Sequence, residues 1–374
     1  MKLSIEKHDL QRGLGRIQSV VEKRNTMPIL ADVLMQARKE KSSSVLELAA
    51  TDLEIGIRSV HEADVKTAGG LTVSAKKLYE IVRELSDEPI QLEVAKEAYL
   101  TVTCGRATFT LAGNAAEEYP TLPSFSAKGT VNISALVLSD MIERTVYAAS
   151  TDETRYNLNG VYLESLAETG KIRMVATDGH RLGYVDRELG LQLEGFPQGV
   201  IIPRKALAEI KRLLDEDVSE DLELGFEGNS GLARLGSVTL VMRLIEGEFP
   251  NYRQVIPEEI THTITIATEG LVRALRRVVL LSNERSRAVK LELREGELSL
   301  TSNNPDLGEA QDILDIDFAG EGLTIAFNAR YLLDCLAVVK AKEVRLALKD
   351  SLSPMRVSPA DDDDVLAVVM PMRL

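Results

Sequence analysis

The sequence predicts an α+β protein made of three similar domains, and three observations carry that prediction. Strand-like and helical stretches alternate in one fixed order that returns along the chain. A polar corner following an apolar run recurs at a near-constant interval. Two proline-containing breaks fall where the order restarts, as linkers between domains do.

Taken in order, Lys2-Leu3-Ser4-Ile5 alternates like a half-buried strand, and Leu10, Leu14, Ile17 and Val21 then recur at helical spacing. Strand-like runs follow over 33–37, 45–49 and 55–60. The order restarts with a strand at 71–73, a helix over 75–85 and strands over 90–94, 100–103 and 107–111. The first third is thus one β-α-β-β-β unit written twice. Val131-Asn132-Ile133 with a helix over 138–146, and Ile264-Thr265-Ile266 with a helix over 271–281, begin two further copies. A second helix type opens at Lys76-Lys77, at Arg204-Lys205 and at Asn328-Ala329-Arg330. The corner recurs as Ala50-Thr51-Asp52, Ala176-Thr177-Asp178 and Thr301-Ser302-Asn303, with 126 residues from Asp52 to Asp178 and 125 from Asp178 to Asn303. That period is a domain, not a short solenoid repeat. Each domain then holds two helices on one face of about eight antiparallel strands. The linkers at 120–126 and 250–257 place the domains at 1–125, 126–253 and 254–374.

Of the 374 residues, 44% are hydrophobic but only 4% aromatic, with no Trp, so the cores must be aliphatic. A net charge of −14 argues, as an average, against nucleic-acid binding. Placement argues otherwise. Arg12 and Arg16 fall opposite the apolar stripe of their helix, Arg273, Arg276 and Arg277 do the same, and Lys76, Lys77, Arg83, Arg204, Lys205, Lys211 and Arg212 stand on the second helices. The helix over 138–146 is weaker, with Asp140, Glu143 and Arg144 outward. The expectation is a basic helical surface on an otherwise acidic protein. Cys104 and Cys335 give no disulfide framework, the start lacks the apolar core of a signal peptide, and no run approaches the roughly 18 apolar residues of a membrane span. The expected place is the cytoplasm, with no membrane partner.

At the middle corner, Asp178-Gly179 signals a tight turn from which His180 and Arg181 project, an arrangement that could belong to an active site or to a polar turn. Nothing joins it into catalytic machinery. Phosphate loops, nucleophile elbows and zinc motifs are missing from the sequence, and His8, His61, His180 and His262 are too dispersed for metal spacing. Asp361–Asp364 reads as a solvated hairpin tip, and Asp52 and Asp178 lie in different domains. A metal-dependent hydrolase built on those aspartates is the competing class. The expectation is a protein without catalysis, metal or cofactor.

Several segments, in order and across all three repeats, resemble the bacterial DNA polymerase III β subunit family, the sliding clamps. They are Arg24-Asn25-Thr26-Met27-Pro28-Ile29-Leu30, Arg155-Tyr156-Asn157-Leu158-Asn159-Gly160, Val175 through Leu182, Phe249-Pro250-Asn251-Tyr252-Arg253, Leu281-Ser282-Asn283-Glu284 and the terminal Val368-Val369-Met370-Pro371-Met372-Arg373-Leu374. The resemblance implies the DNA clamp fold: a head-to-tail homodimer closed into a ring, helices lining the hole and antiparallel sheets outside. It implies sequence-independent encirclement of duplex DNA and tethering of the polymerase III α subunit, the clamp loader, other polymerases and repair proteins through short peptide motifs.

By the same resemblance, the partner-peptide cleft maps onto Arg155, Leu158, Thr177, Gly179, His180, Arg181, Leu182, Pro250, Val255, Asn328, Tyr331, Val368, Met370, Pro371, Met372 and Arg373. The DNA contacts map onto Arg24, Tyr156, Arg204, Lys205, Lys76 and Lys77, and the subunit contact onto Phe109 and Leu111 at one end and Leu280 and Leu281 at the other. Asn157, Gln254 and Pro354 depart from the family pattern. A clamp paralogue, serving as a docking scaffold or an inhibitor-resistant copy, is the other reading.

Overall fold

The computed structural model describes residues 1–21, 27–39, 44–94, 98–122, 125, 130–166, 168–189, 198–216 and 221–373. Its helices are α1 (Lys7–Ile17), α2 (Ala75–Glu84), α3 (Ala135–Val146), α4 (Arg204–Glu216), α5 (Thr268–Val278) and α6 (Ala329–Val339). Each follows one strand and is followed by three, so the β-α-β-β-β order appears twice in every repeat. A short extra strand, Asp64–Thr67, had no counterpart in the sequence reading.

The chain forms two compact units, residues 1–136 with 208–244 and residues 137–207 with 245–374. The first holds a thirteen-stranded antiparallel sheet in which Val238–Arg243 pairs with Ile55–Glu62, Leu240 opposite Ile57. The second holds an eight-stranded sheet, in which Arg181–Glu188 pairs with Val365–Val369 and Tyr184 lies opposite Leu366, and a four-stranded sheet. Both ladders join strands of different repeats. The central repeat therefore gives half its strands to each unit. Val365–Val369 is apolar and buried at every position, as suits a strand paired on both edges inside its sheet.

Helix α1 shows how the local code works and where it fails. Leu10, Leu14 and Ile17 are fully buried, as their spacing predicts, and each such burial stabilises by about 1.5–3 kcal/mol. The helix stops at Ile17, however, and Val20 rather than Val21 turns into the core, its N–H bonded to the Ile17 carbonyl at 3.1 Å. Gly13 lets the helix sit close, since a Cβ there would lie 2.3 Å from His61 Nε2. Helix α5 buries Leu271, Leu275 and Val278 and exposes Arg273, Arg276 and Arg277, as predicted, then ends in a 3-10 turn over Val279–Leu281.

The basic helix faces are less free than their positions imply. The six helices carry fifteen Lys and Arg against ten Asp and Glu, a surplus in a chain of net −14. Many of these cations are already paired. Arg16, only 11% exposed, holds Glu216 at 2.7 Å, and Arg212 holds Glu216 and Glu209 at 3.0 Å each. Lys77 holds Glu80 at 2.8 Å, Lys211 holds Asp215 at 2.5 Å and Arg273 holds Glu269 at 2.6 Å. Arg16, expected to face solvent, is instead the partner of a residue two hundred positions away.

Candidate functional site

The middle corner is a self-contained piece of hydrogen bonding. Strands Lys171–Thr177 and Arg181–Glu188 pair with Thr177 opposite Leu182. Between them, Thr177 Oγ1 donates to the Arg181 carbonyl at 2.7 Å and accepts from Gly179 N at 3.1 Å, while Asp178 Oδ1 accepts from His180 N at 2.9 Å and Arg181 N at 3.0 Å. Gly179 takes a φ of +86°, which glycine adopts without steric cost. The first repeat builds the same corner: Thr51 donates to the Ile55 carbonyl at 2.8 Å, Asp52 caps Glu54 and Ile55, and Leu53 stands at φ +79°. Asp52 and Asp178 are turn formers. The third copy differs, because its ladder runs on to Asn304 opposite Gly308 and Asn304 caps the turn at Asp306.

The side chains just after the turn set the middle copy apart. Arg181 reaches Asp178 at 3.1 Å, Asp334 of α6 at 2.5 Å and the Tyr147 carbonyl at 2.8 Å, and its guanidinium lies 4.8 Å from the Tyr331 ring centroid. Burial works against its charge, but Asp334 and Asp178 more than offset this and hold its pKa above the ordinary arginine value. Burial likewise pushes the neighbouring Cys335 thiol up to about 11, keeping it neutral beneath the Tyr147 hydroxyl. The His180 ring stacks on Tyr331 at 6.1 Å, and Arg155 donates to the Asp178 carbonyl at 2.9 Å.

On one side of this corner lies an apolar cavity of about 130 Å³ lined by Leu158, Thr177, Gly179, Arg181, Leu182, Pro250, Val255, Val368 and Met370, all named from the sequence, and by Asn251 and Tyr252, which were missed. On the other side lies a polar basin of about 710 Å³ that gathers Arg155, His180, Asn328 and Tyr331. Pro371, Met372 and Arg373 line neither cavity. The segment is tied down by Met370 N–H to the His180 carbonyl at 2.9 Å and by Met372 N–H to the Ala326 carbonyl at 2.7 Å.

Tyr252 is held from behind by a buried polar network. Its hydroxyl donates to Glu164 and accepts from Arg173 at 3.2 Å, while Arg173 grips Asp186 with two bonds of 2.5 and 2.6 Å and covers the Tyr184 ring at 4.2 Å. The link that the sequence hides is that Glu164, Arg173 and Asp186 point to the same face of adjacent strands, Glu164 opposite Arg173 and Arg173 opposite Asp186.

The other named residues lie outside the apolar cavity, and of them Arg204 lines the polar basin. Tyr156 is 52% exposed on a 3-10 turn, and Arg204, exposed at the start of α4 and followed by the half-buried Lys205, donates its N–H to the Asn159 carbonyl at 3.0 Å. Lys76 and Lys77 are exposed at the start of α2, and Arg24 lies outside the described residues. Asn157, one of the departures, donates to the Glu248 carbonyl at 3.0 Å. Phe109 and Leu111 stand on the exposed strand Ala107–Asn114, whose residues 107–112 have one backbone edge without a ladder partner among the described residues. Leu280 is 76% exposed beside the half-buried Leu281, and strand Gly308–Asp315 ends its sheet. The acidic run is engaged locally, Asp362 with Arg187, Asp363 with Arg345 and Asp364 with Lys171. No helix among the described residues is long and apolar enough to cross a membrane.

Three copies of a doubled β-α-β-β-β unit, with an apolar cavity beside a turn whose carboxylate is taken up by backbone N–H groups and Arg181, define a DNA clamp. The chain belongs to the DNA polymerase III β subunit family: the family's N-terminal domain matches residues 1–123, its central domain 132–251 and its C-terminal domain 253–373. It is 36% identical over 378 residues to the beta sliding clamp of Caulobacter vibrioides and 35% identical over 376 to that of Proteus mirabilis, with 100% of each chain covered. Among solved structures, it matches the sliding clamp of Bartonella birtlesii bound to griselimycin with a TM-score of 0.95 and 36% identity, and the Caulobacter crescentus clamp with PEG bound with 0.93 and 36%, again over all of both chains. The family is the non-catalytic processivity factor of the polymerase holoenzyme; its members encircle DNA as dimers and bind polymerase and other proteins through peptide motifs. The paralogue reading is not favoured by these matches.

Proposed function

We propose that this chain tethers replication proteins through the cavity beside Thr177–Leu182. The observation that carries the assignment is that residues from four separate stretches of sequence, around 158, 177–182, 250–255 and 368–370, converge on one apolar hollow rimmed by Arg181. Leu, Val and Met side chains give such a hollow an adaptable surface for partners of differing sequence. Arg155, His180, Asn328 and Tyr331 form its polar flank, and residues 371–373 brace the strand end that carries Met370.

Tyr156, Arg204, Lys205, Lys76, Lys77 and Arg24 are the proposed DNA contacts, made to phosphates and independent of sequence. Phe109 and Leu111 on a strand edge without a ladder partner among the described residues, and Leu280 and Leu281 beside another sheet end, are the proposed halves of a head-to-tail seam. Joining two open edges removes both as aggregation sites, and a heterologous contact that closes gives a ring. Domain boundaries near 1–125, 126–253 and 254–374, and a cytoplasmic location where the chromosome is replicated, complete the proposal. Retention on DNA tests it: protein loaded on a nicked circle should stay bound through high-salt washing and run off once the circle is linearised. Equal retention on linear DNA with free ends would sink the topological reading.

A further inference from the structure

We propose that the polar basin beside the cleft reads an acidic side chain flanking the apolar core of a docked partner peptide. The inference rests on the peptide-docking reading of the cleft. The corner separates the two cavities, and Arg181 lines both. Six arginines line the basin: Arg155, Arg181, Arg204, Arg285, Arg287 and Arg330. The first two are committed, Arg155 to the Asp178 carbonyl and Arg181 to Asp178 and Asp334, and Arg330 reaches Asp334 at only 3.9 Å. Arg204, Arg285 and Arg287 are exposed, and their side chains make no ion pair among the described residues. Asp152 is occupied by its own turn through Thr154, at 3.0 and 2.7 Å, and Arg204 is already proposed as a phosphate contact, which leaves Glu284 against the guanidinium groups of Arg285 and Arg287.

Arg287 adds a second, independent sign. It stands at φ +46°, a region that favours glycine, and is held there by its N–H to the Asn283 carbonyl at 2.7 Å and by Ala329 N–H to its own carbonyl at 2.9 Å. Glycine would meet that backbone without strain, so the arginine contributes its side chain. A guanidinium fork in a basin that shares Arg181 with the apolar hollow suits a carboxylate, which it can meet with two parallel charge-assisted bonds.

The test uses a short fluorescein-labelled peptide with an apolar Leu-Phe core, made with either Glu-Asp or Gln-Asn flanks and titrated onto the full chain at low salt. The acidic version should bind about tenfold more tightly, the worth of one charge-assisted bond. Arg285→Ala with Arg287→Gly should erase that preference while the neutral version binds as before, and the glycine keeps the turn unstrained. Equal binding of both versions to the unaltered chain overturns the inference and leaves the cleft standing. Loss of DNA loading in the variant with acidic preference retained assigns the basin to phosphates and also overturns it. Binding of neither version overturns the cleft reading with it.

Discussion

Removing the Arg173 guanidinium should damage the cleft from behind, through stability first and affinity second. Arg173 is 15% exposed and Asp186 9%, joined by bonds of 2.5 and 2.6 Å. In Arg173→Met the aliphatic stem still covers the Tyr184 ring, but the Asp186 carboxylate stays buried without its partner. Breaking a buried pair on one side costs about 3–5 kcal/mol, whereas replacing both partners by apolar groups is often neutral. Arg173→Met with Asp186→Leu should therefore return to within about 1 kcal/mol of the parent. Urea unfolding followed by far-UV circular dichroism measures this, since the chain has no Trp to report by fluorescence. Tyr252 also loses its 3.2 Å partner at the cavity wall, so peptide affinity should fall about threefold to tenfold, the worth of one hydrogen bond. A single variant costing under about 1 kcal/mol, or a double variant no better than the single, would refute the assignment of a buried ion pair.

Three further outcomes are expected from the geometry. Burial depresses His61 from 6.5 to about 4, so its neutral form contributes about 3 kcal/mol that is fully present above pH 6.5 and lost as pH falls through 4; His61→Gln should flatten that part of the unfolding profile. Leu280→Asp places a charge on an exposed apolar residue of the proposed seam, so light scattering should give a mass near 41.1 kDa where the parent gives twice that; a dimeric variant would count against the seam. Met370→Ala should weaken peptide binding about tenfold or more, with little change in Met372→Ala, because only Met370 lines the cavity; equal losses in both would disprove this ranking.

Much of the fold was legible because it is written three times. A turn that needs Thr and Asp at fixed spacing, as at Thr51-Asp52 and Thr177-Asp178, leaves the same signature wherever it is built. Apolar positions at helical spacing named the buried residues of α1 and α5. That Leu158, Leu182, Pro250 and Val368 share one hollow was legible only through family resemblance, since they are unremarkable aliphatic residues until folding gathers them. Long-range pairing was not legible. Nothing local to Arg16 announces Glu216, and the Arg173 network depends on which strands adjoin and in what register. Asn251 and Tyr252 were missed for a related reason: in the sequence they look like part of a linker, while in the fold Tyr252 is 3% exposed.

The paired charges of the helices bear on motion as much as on attraction. An unanswered lysine or arginine offers a phosphate a well, and a row of such wells spaced along the duplex would act as a ratchet. Where Lys77 is answered by Glu80, Lys211 by Asp215, Arg212 by Glu216 and Arg273 by Glu269, each well is shallowed by a carboxylate on its own helix. A duplex passing such a surface meets a potential that is attractive in sum and nearly level along its path. On the proposed DNA face, the friction of sliding is set by the depth of those steps rather than by the total charge, so holding the duplex and travelling along it are compatible.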